Sequence, residues 1–307
     1  VTPAPDDAPE TVEPCPLMLR RQAVMQLAAA SHTAGRRELA QAIDAHLEAP
    51  DHDWDGLRVV LQDGELEAAL WVQPLPGNMA QLWQSDATGQ RAAALLADAR
   101  RWVAEQGFRL CQTVLTPDQS DAARALESAG MTLVAPLEYL TAPVPDAGTL
   151  PEAPAIRQRP WDSLDSARQL ALLDAVQQDS LDCVALCDVL DAEALLAGFL
   201  QQDEQAPAHW RVIQTSASGD AAPAGVLLLA PRPEVQGMEL LLMGLVPAAR
   251  GQGLGQAVLN AAFAEARNAG AQRLLLSVDM TNTPARRLYQ AAGFVCYSRQ
   301  QVYAWLS

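Results

Sequence analysis

The 307 residues are half hydrophobic and carry 37 acidic against 21 basic side chains, a formal charge of -16. Such a chain offers no basic face for a phosphate backbone, which excludes nucleic acid as the expected partner and favours a cationic one. No apolar run reaches the roughly 18 residues of a membrane span, and the opening "VTPAPDDAPETVEP" is acidic and Pro-rich, unlike a secretory signal, so the expectation is a cytoplasmic protein with no membrane partner.

Residues 1–16 read as a flexible N-terminal segment, and a second Pro-rich tract, "TAPVPDAGTLPEAPA", marks a seam near the middle of the chain. The expected units are 17–140, a linker at 141–154, and 155–307. The two halves repeat one another. "ALLADARRWVAEQG" ends at Gly107 and "AVLNAAFAEARNAG" at Gly270, while "ARALESAGM" reaches Gly130 and "ARRLYQAAGF" reaches Gly293; both pairs stand 163 residues apart. A constant offset across helix, strand and helix implies a duplicated domain.

In the second half, Ala155 to Arg159 reads as a short strand, and "DSARQLALLDAVQQ" as an amphipathic helix capped by Asp162 or Ser163. A second helix is expected over about Asp191 to Gln202. "HWRVIQT" and "AGVLLLAP" flank a turn-rich stretch and predict a hairpin, and "MELLLMGLV" predicts a buried strand ended by Pro247. Leu254, Val258, Leu259, Ala262, Phe263 and Ala266 fall on one face of a helix from Gly253 to Ala269. "RLLLSV" is the next strand, Pro284 opens a short helix and Gly293 stops it. The result is a mixed α/β architecture.

The chemistry concentrates in "VPAARGQGLGQ", where a strand gives way to a Gly-rich turn and a helix. The first N–H groups of that helix lack intrahelical partners and sit at the positive end of its dipole, an arrangement that binds anions. Glycines at 251, 253 and 255 clear side chains from those donors, and Arg250 adds a guanidinium suited to phosphate oxygens. The spacing fits neither the dinucleotide fingerprint nor a P-loop, which needs a lysine; the chain contains none.

The pattern Arg250-x-x-Gly253-x-Gly255 resembles the acetyl-CoA signature of the GNAT superfamily of N-acetyltransferases. A second block, Asn282, Ala285, Leu288, Tyr289, Gly293 and Phe294, matches that family's N-x-x-A-x-x-L-Y-x-x-x-G-F run. The resemblance covers Ala155 to Ser307 and extends to the first half only through the repeat. It implies two tandem GNAT-like domains, each a central mixed twisted sheet flanked by helices, and acetyl-CoA as co-substrate without a metal. It places Met243, Gly244 and Leu245 along the pantetheine arm on a strand that splays from its neighbour. Backbone of Gln252, Gly253, Leu254 and Gly255 then lies at the pyrophosphate, with Arg250 and Gly251 beside it, and the Asn282 amide on the pantetheine. Tyr289 is implied as general acid toward the CoA thiolate, with a wall against the cofactor as its structural alternative. Glu239, four residues before Met243, matches the position of a catalytic Glu in several members; the alternative is a strand-end residue reaching water. Strand alternation puts it on the face of Leu241 and Met243. Solvent is the expected surrounding of Arg286 and Arg287.

At the same offset the first half has Pro76, Ala87, Gln90, Ala92, Gln119 and Leu126 in place of Glu239, Arg250, Gly253, Gly255, Asn282 and Tyr289. It keeps the apolar framework and loses the polar site, so it is expected to bind no CoA and to pack against the active half. Since family members usually run on past the strand of Tyr303, the acceptor wall is expected to be shorter or completed by the other domain. The expected function is transfer of an acetyl group to a primary amine on a small molecule or a peptide N-terminus, directly in a ternary complex. A non-catalytic acyl-CoA-binding module and a longer acyl group are the alternatives; neither the acceptor nor an oligomeric state is legible. The five cysteines are expected as thiols, Cys183 and Cys187 as a buried pair, His46 and His52 as part of a solvated connector, and His209 as structural.

Overall fold

The computed structural model describes residues 11–31, 36, 39–44, 54–75, 77–146, 148–187, 189–202, 205–215 and 222–307. His46, His52, Pro76 and most of residues 1–16 lie outside these. The chain divides into two compact units, one of residues 1–133 with 301–307 and the other of 134–300.

In the first unit the strands are β1 (Val12–Pro14), β2 (Leu57–Gln62), β3 (Glu65–Leu75), β4 (Met79–Gln84) and β5 (Leu110–Leu115), adjacent in that order. Strands β2 to β4 are antiparallel, and β5 lies parallel to β4 because helix α2 (Gly89–Gln106) carries the chain across. Before it comes α1 (Arg20–Ala30), and α3 (Ser120–Ser128) follows β5. The core joins Val60, Leu70, Val72 and Leu82 of the sheet to Leu95, Leu96, Ala99 and Val103 of α2.

The second unit begins within β6 (Thr132–Pro143) and continues through β7 (Ile156–Pro160), α4 (Ser166–Gln177), α5 (Ala192–Gln202), β8 (Arg211–Thr215), β9 (Gly225–Arg232), β10 (Gly237–Leu245), α6 (Leu254–Asn268), β11 (Arg273–Asp279) and α7 (Thr283–Ala291). Its sheet has the order β6-β11-β10-β9-β8-β7, in which only β10 and β11 are parallel. The cap of α4 is Asp165, whose carboxylate accepts from Arg168 N at 2.9 Å, while Asp162 and Ser163 fall in a preceding 3-10 turn. One face of α6 is buried through Leu254, Ala257, Val258, Leu259, Ala261, Ala262, Phe263 and Ala266. His209 is structural as expected, with Nδ1 3.0 Å from Glu265 Oε1.

The repeat is exact in its last elements. Ser120 and Thr283, Ser128 and Ala291, Thr132 and Val295, and Pro143 and Leu306, the ends of α3, α7, β6 and the final strand β12 (Val295–Leu306), each stand 163 residues apart. Yet each copy's last strand completes the other unit. Residues 137–143 of β6 pair antiparallel with β11, and residues 301–306 of β12 pair antiparallel with β5. The Pro-rich seam therefore starts as strand at Thr141–Pro143. Its later part lies along α6, where Arg267 donates to Pro145 O at 2.8 Å and Asn260 Nδ2 to Pro151 O at 2.8 Å.

Glu138 of β6 is held by Arg286 at 3.0 Å and Arg299 at 3.1 Å. Arg286, expected in solvent, is thus engaged, and it also donates to Met280 O. The carboxylate is covered by guanidinium groups that themselves reach water, at 38% and 57% exposure. Burial alone raises its pKa, but the hydrogen bonds and charges of the two arginines outweigh this and hold it below the ordinary 4.5. A depressed folded value stabilises above pH 4.5, and that contribution disappears as pH falls through the folded pKa. Glu138→Gln is expected to lower Tm by roughly 2–4 °C at pH 7, the size of about 1 kcal/mol. The gap to wild type should close as pH falls from 4.5 through the lower folded pKa; a gap independent of pH in melting curves would show that charge is not the cause.

Candidate active site

β10 and β11 pair only from Gly237 with Arg273 to Leu240 with Leu276, although they run on to Leu245 and Asp279. The strands part where β10 carries a bulge: its register against β9 shifts between Leu240 and Leu242, leaving Leu241 as the extra residue. Beyond it, Leu241 to Leu245 no longer pair with β11, as the expected splay requires. Gly244 is needed at this point because a Cβ there would stand 2.9 Å from Val176 Cβ of α4.

The bulge also corrects the expected facing of Glu239. Residues paired across an antiparallel ladder share a face. Glu239 pairs with Ala230, and Leu242 with Leu228, whereas Met243 pairs with Leu227. Glu239 therefore lies on the α4 face, with Leu242 and Gly244, while Met243 and Leu245 pack on the core of the α6 face. One inserted residue inverts the alternation for everything after it. The Glu239 carboxylate is also gripped by Arg232, whose Nε is 2.6 Å from Oε2.

After β10 a short 3-10 turn, Pro247–Ala249, leads through Arg250 into the glycines. Gly251 and Gly253 have φ of +73° and +76°, left-handed values at which any side chain is strained. Gly253 is the N-cap of α6 and provides no side-chain cap, so the helix presents bare N–H donors there. Gln252 Nε2 bonds back to Ala248 O at 2.8 Å, and Leu254 turns into the protein, 4% exposed. Gly255 has a different reason from clearing a ligand: a Cβ on it would meet Leu288 Cδ2 at 3.4 Å, so it sets how closely α6 and α7 pack.

Arg250 is not a free guanidinium beside the turn. Its Nε donates to Leu245 O at 3.0 Å, Nη1 to Asp179 O at 3.0 Å, and Nη2 to Val176 O at 3.1 Å and Gln178 O at 2.7 Å. Four of its five donors thus bind the carbonyls at the end of α4 and β10. Asn282 is likewise engaged on both sides: its Oδ1 caps α7 by accepting from Ala285 N at 3.2 Å, and its side chain hydrogen-bonds Asp182.

Asp182 escaped the sequence reading. Its Oδ1 accepts from Asp279 N at 3.1 Å, while Asp279 Oδ2 accepts from Cys183 N at 3.1 Å and Asp279 Oδ1 from Thr281 N at 2.7 Å. This reciprocal bracket ties the segment after α4 to the end of β11. Although residue Asp182 reaches solvent, its carboxyl is crowded by protein, and this desolvation, with the Asp279 charge, raises its pKa against the opposing hydrogen bonds. The only clue in sequence is Asp279 three residues before a capping Asn.

Tyr289 lies in α7, 5% exposed, its ring centroid 5.5 Å from that of Phe294. Burial raises its phenol pKa, and the nearby Asp182 charge raises it further. Its ring is part of the core around Phe263 and Phe294, and the Asp182 charge lies near enough to act on the phenol. Cys183 and Cys187 are half-buried free thiols, and burial raises the Cys183 thiol. Among the described residues no group of three or more metal-ligating side chains comes together, and no helix is long and apolar enough to cross a membrane.

The Acetyltransferase (GNAT) family model matches residues 174–294, which hold the gap, the turn and both sequence blocks. Similar curated proteins are the mycothiol acetyltransferases of Thermobispora bispora, 33% identical over 95 residues, and of Paenarthrobacter aurescens, 27% identical over 179. These matches cover 31% and 54% of this chain and only 28% and 50% of the relatives' own length. The solved GCN5-related N-acetyltransferase from Sphaerobacter thermophilus has a TM-score of 0.58 at 18% identity, covering 92% of this chain and 93% of that one. A tandem GNAT protein from the clavulanic acid biosynthesis pathway gives 0.53 at 15%, covering 96% and 98%. Those likenesses carry the fold across both halves, in the two-domain arrangement that the repeat implies. Residues 174–294 match the GNAT acetyltransferase family model, and through that segment the second half of the chain is similar to that family.

Proposed function

We propose that the chain transfers an acetyl group from acetyl-CoA to a primary amine, directly within a ternary complex. The observation that supports this most is the gap between β10 and β11 opening onto the glycine turn at the bare N-terminus of α6. It offers main-chain partners for an extended amide-bearing arm on one side and N–H donors for a diphosphate on the other. Bound acetyl-CoA supplies a thioester carbonyl open to attack by an amine.

The protein's own residues have three tasks. Backbone N–H groups of Leu241 to Leu245 polarise a carbonyl placed against them, as an oxyanion hole does. Arg250 and the Asp182–Asp279 bracket hold the segment after α4 beside the gap, so this motif arginine shapes the site through the backbone. Tyr289 holds a proton at its phenol for a departing thiolate, and Glu239, or a water it orients, receives the proton of the attacking amine. Its place on the α4 face sets the acceptor on that side of the sheet.

Calorimetry with acetyl-CoA, then thiol release across a panel of amines, tests the proposal; absence of binding would sink it. Binding without thiol release from any amine would favour a non-catalytic acyl-CoA module, and competition among acyl-CoAs reads the chain length. Glu239→Gln is expected to lower kcat/KM for the amine by about 10- to 100-fold with acetyl-CoA affinity unchanged. Full turnover in that variant would leave the carboxylate only its pairing with Arg232.

A further inference from the structure

The first unit has a gap of its own. β4 and β5 pair from Met79 with Leu110 to Gln81 with Gln112, then run on to Gln84 and Leu115 without pairing to each other. A cavity of about 550 Å³ opens there, walled by both strand ends, the loop before α2 and the start of α3. This is a volume suited to a small organic molecule. In the repeat it occupies the place of the gap between β10 and β11.

Its charge is the reverse of what a diphosphate needs. Among the described residues the cavity is lined by Asp86, Asp118 and Asp121 and by one cation, Arg124, already paired to Asp121. The residues 163 positions later are Ala249, Thr281 and Pro284, all neutral, whereas Arg250 corresponds to Ala87. The shape has been kept while three carboxylates were placed around it. Thr113 adds a polar side chain to the cavity wall, only 4% exposed. Trp83, 8% exposed with its Nε1 held by Gln73, lines the cavity from the α1 face of the sheet.

We propose that this cleft binds an organic cation, a small molecule bearing at least two amino groups. Asp86 receives one ammonium at the α2 side, Asp118 and Asp121 receive another at the α3 side, and the carbon chain lies along Trp83. Spermidine is the probe, titrated calorimetrically into the full chain at low salt. One site is expected, weakened at least tenfold in Asp86→Asn/Asp118→Asn and weakened by added salt. Both aspartates are exposed, so their replacement leaves the core intact. A control, Asp63→Asn/Glu65→Gln, removes two exposed charges from the β2–β3 turn and should change nothing. Absence of a spermidine site, or equal weakening in the control, would overturn the proposal. Two acetyl-CoA sites per chain, with the second surviving Gly253→Glu, would overturn it as well. The spermidine result stands whether or not the second half transfers acetyl groups.

Discussion

Gly253→Glu is expected to weaken acetyl-CoA binding at least a hundredfold, about 2.7 kcal/mol, in calorimetric titration. The residue caps α6 at a φ of +76°, where its N–H and those that follow form the proposed diphosphate cradle. A glutamate there brings a negative charge and the bulk of a whole side chain to the donors the anion needs, and it opposes the ligand's own charge. Backbone strain accompanies the change, since a side chain in the left-handed region costs about 1–2 kcal/mol. Gly251→Asn separates the effects: it has a similar φ of +73°, a Cβ there meets nothing within 4 Å, and Asn tolerates that conformation. If Gly251→Asn binds normally while Gly253→Glu folds and does not bind, the cradle is at the helix terminus. Undiminished affinity in a folded Gly253→Glu protein would remove the basis of the proposed function.

The elements that carry this cradle were legible because local signals repeat. Pro284 and Gly293 bracket a nine-residue helix, and the copy 163 residues earlier has the same bounds. What escaped was phase and partnership. After Glu239, "LLLMGL" is an apolar run with no polar residue to report which face each side chain takes, so a bulge at Leu241 leaves no trace in it. Its consequence, Glu239 on the α4 face, is visible only in the pairing with Ala230 and Leu228. Arg250 looked like an anion ligand because arginine suits phosphate, but its carbonyl partners lie up to 74 residues away in sequence. The strand exchange was hidden for a related reason: β6 and β12 occupy equivalent positions in two similar copies, so the pattern of either suits both sheets.

The same comparison explains why a duplicated fold supports two electrostatic environments. Parallel strands that part after three or four paired residues leave a gap in each copy, whatever side chains follow. In the second half the loop beyond is neutral and its arginine is turned into carbonyls, leaving bare helix donors. In the first it is ringed by aspartates. Function here lies in the side chains placed around a conserved backbone opening.

Tyr289→Phe tests the chemical step rather than binding. The ring is core, 5% exposed and packed on Phe294, and phenylalanine keeps that packing. Only the hydroxyl near Asp182 is lost, so acetyl-CoA affinity should remain within about twofold while kcat falls on the order of 100-fold or more, the range of general-acid catalysis. The pH profile gives a second readout. Burial, reinforced by Asp182, raises the phenol pKa above its usual 10, so Tyr289 stays protonated throughout the neutral range and contributes no alkaline fall in kcat below pH 9. Asp182→Asn removes one of the two causes and should bring the alkaline limb to lower pH without reaching the unperturbed value, because burial persists. Full turnover in Tyr289→Phe would reduce the tyrosine to a wall. An alkaline limb below pH 9 that vanishes in the same variant would contradict the buried, proton-holding phenol and require a phenol in contact with solvent.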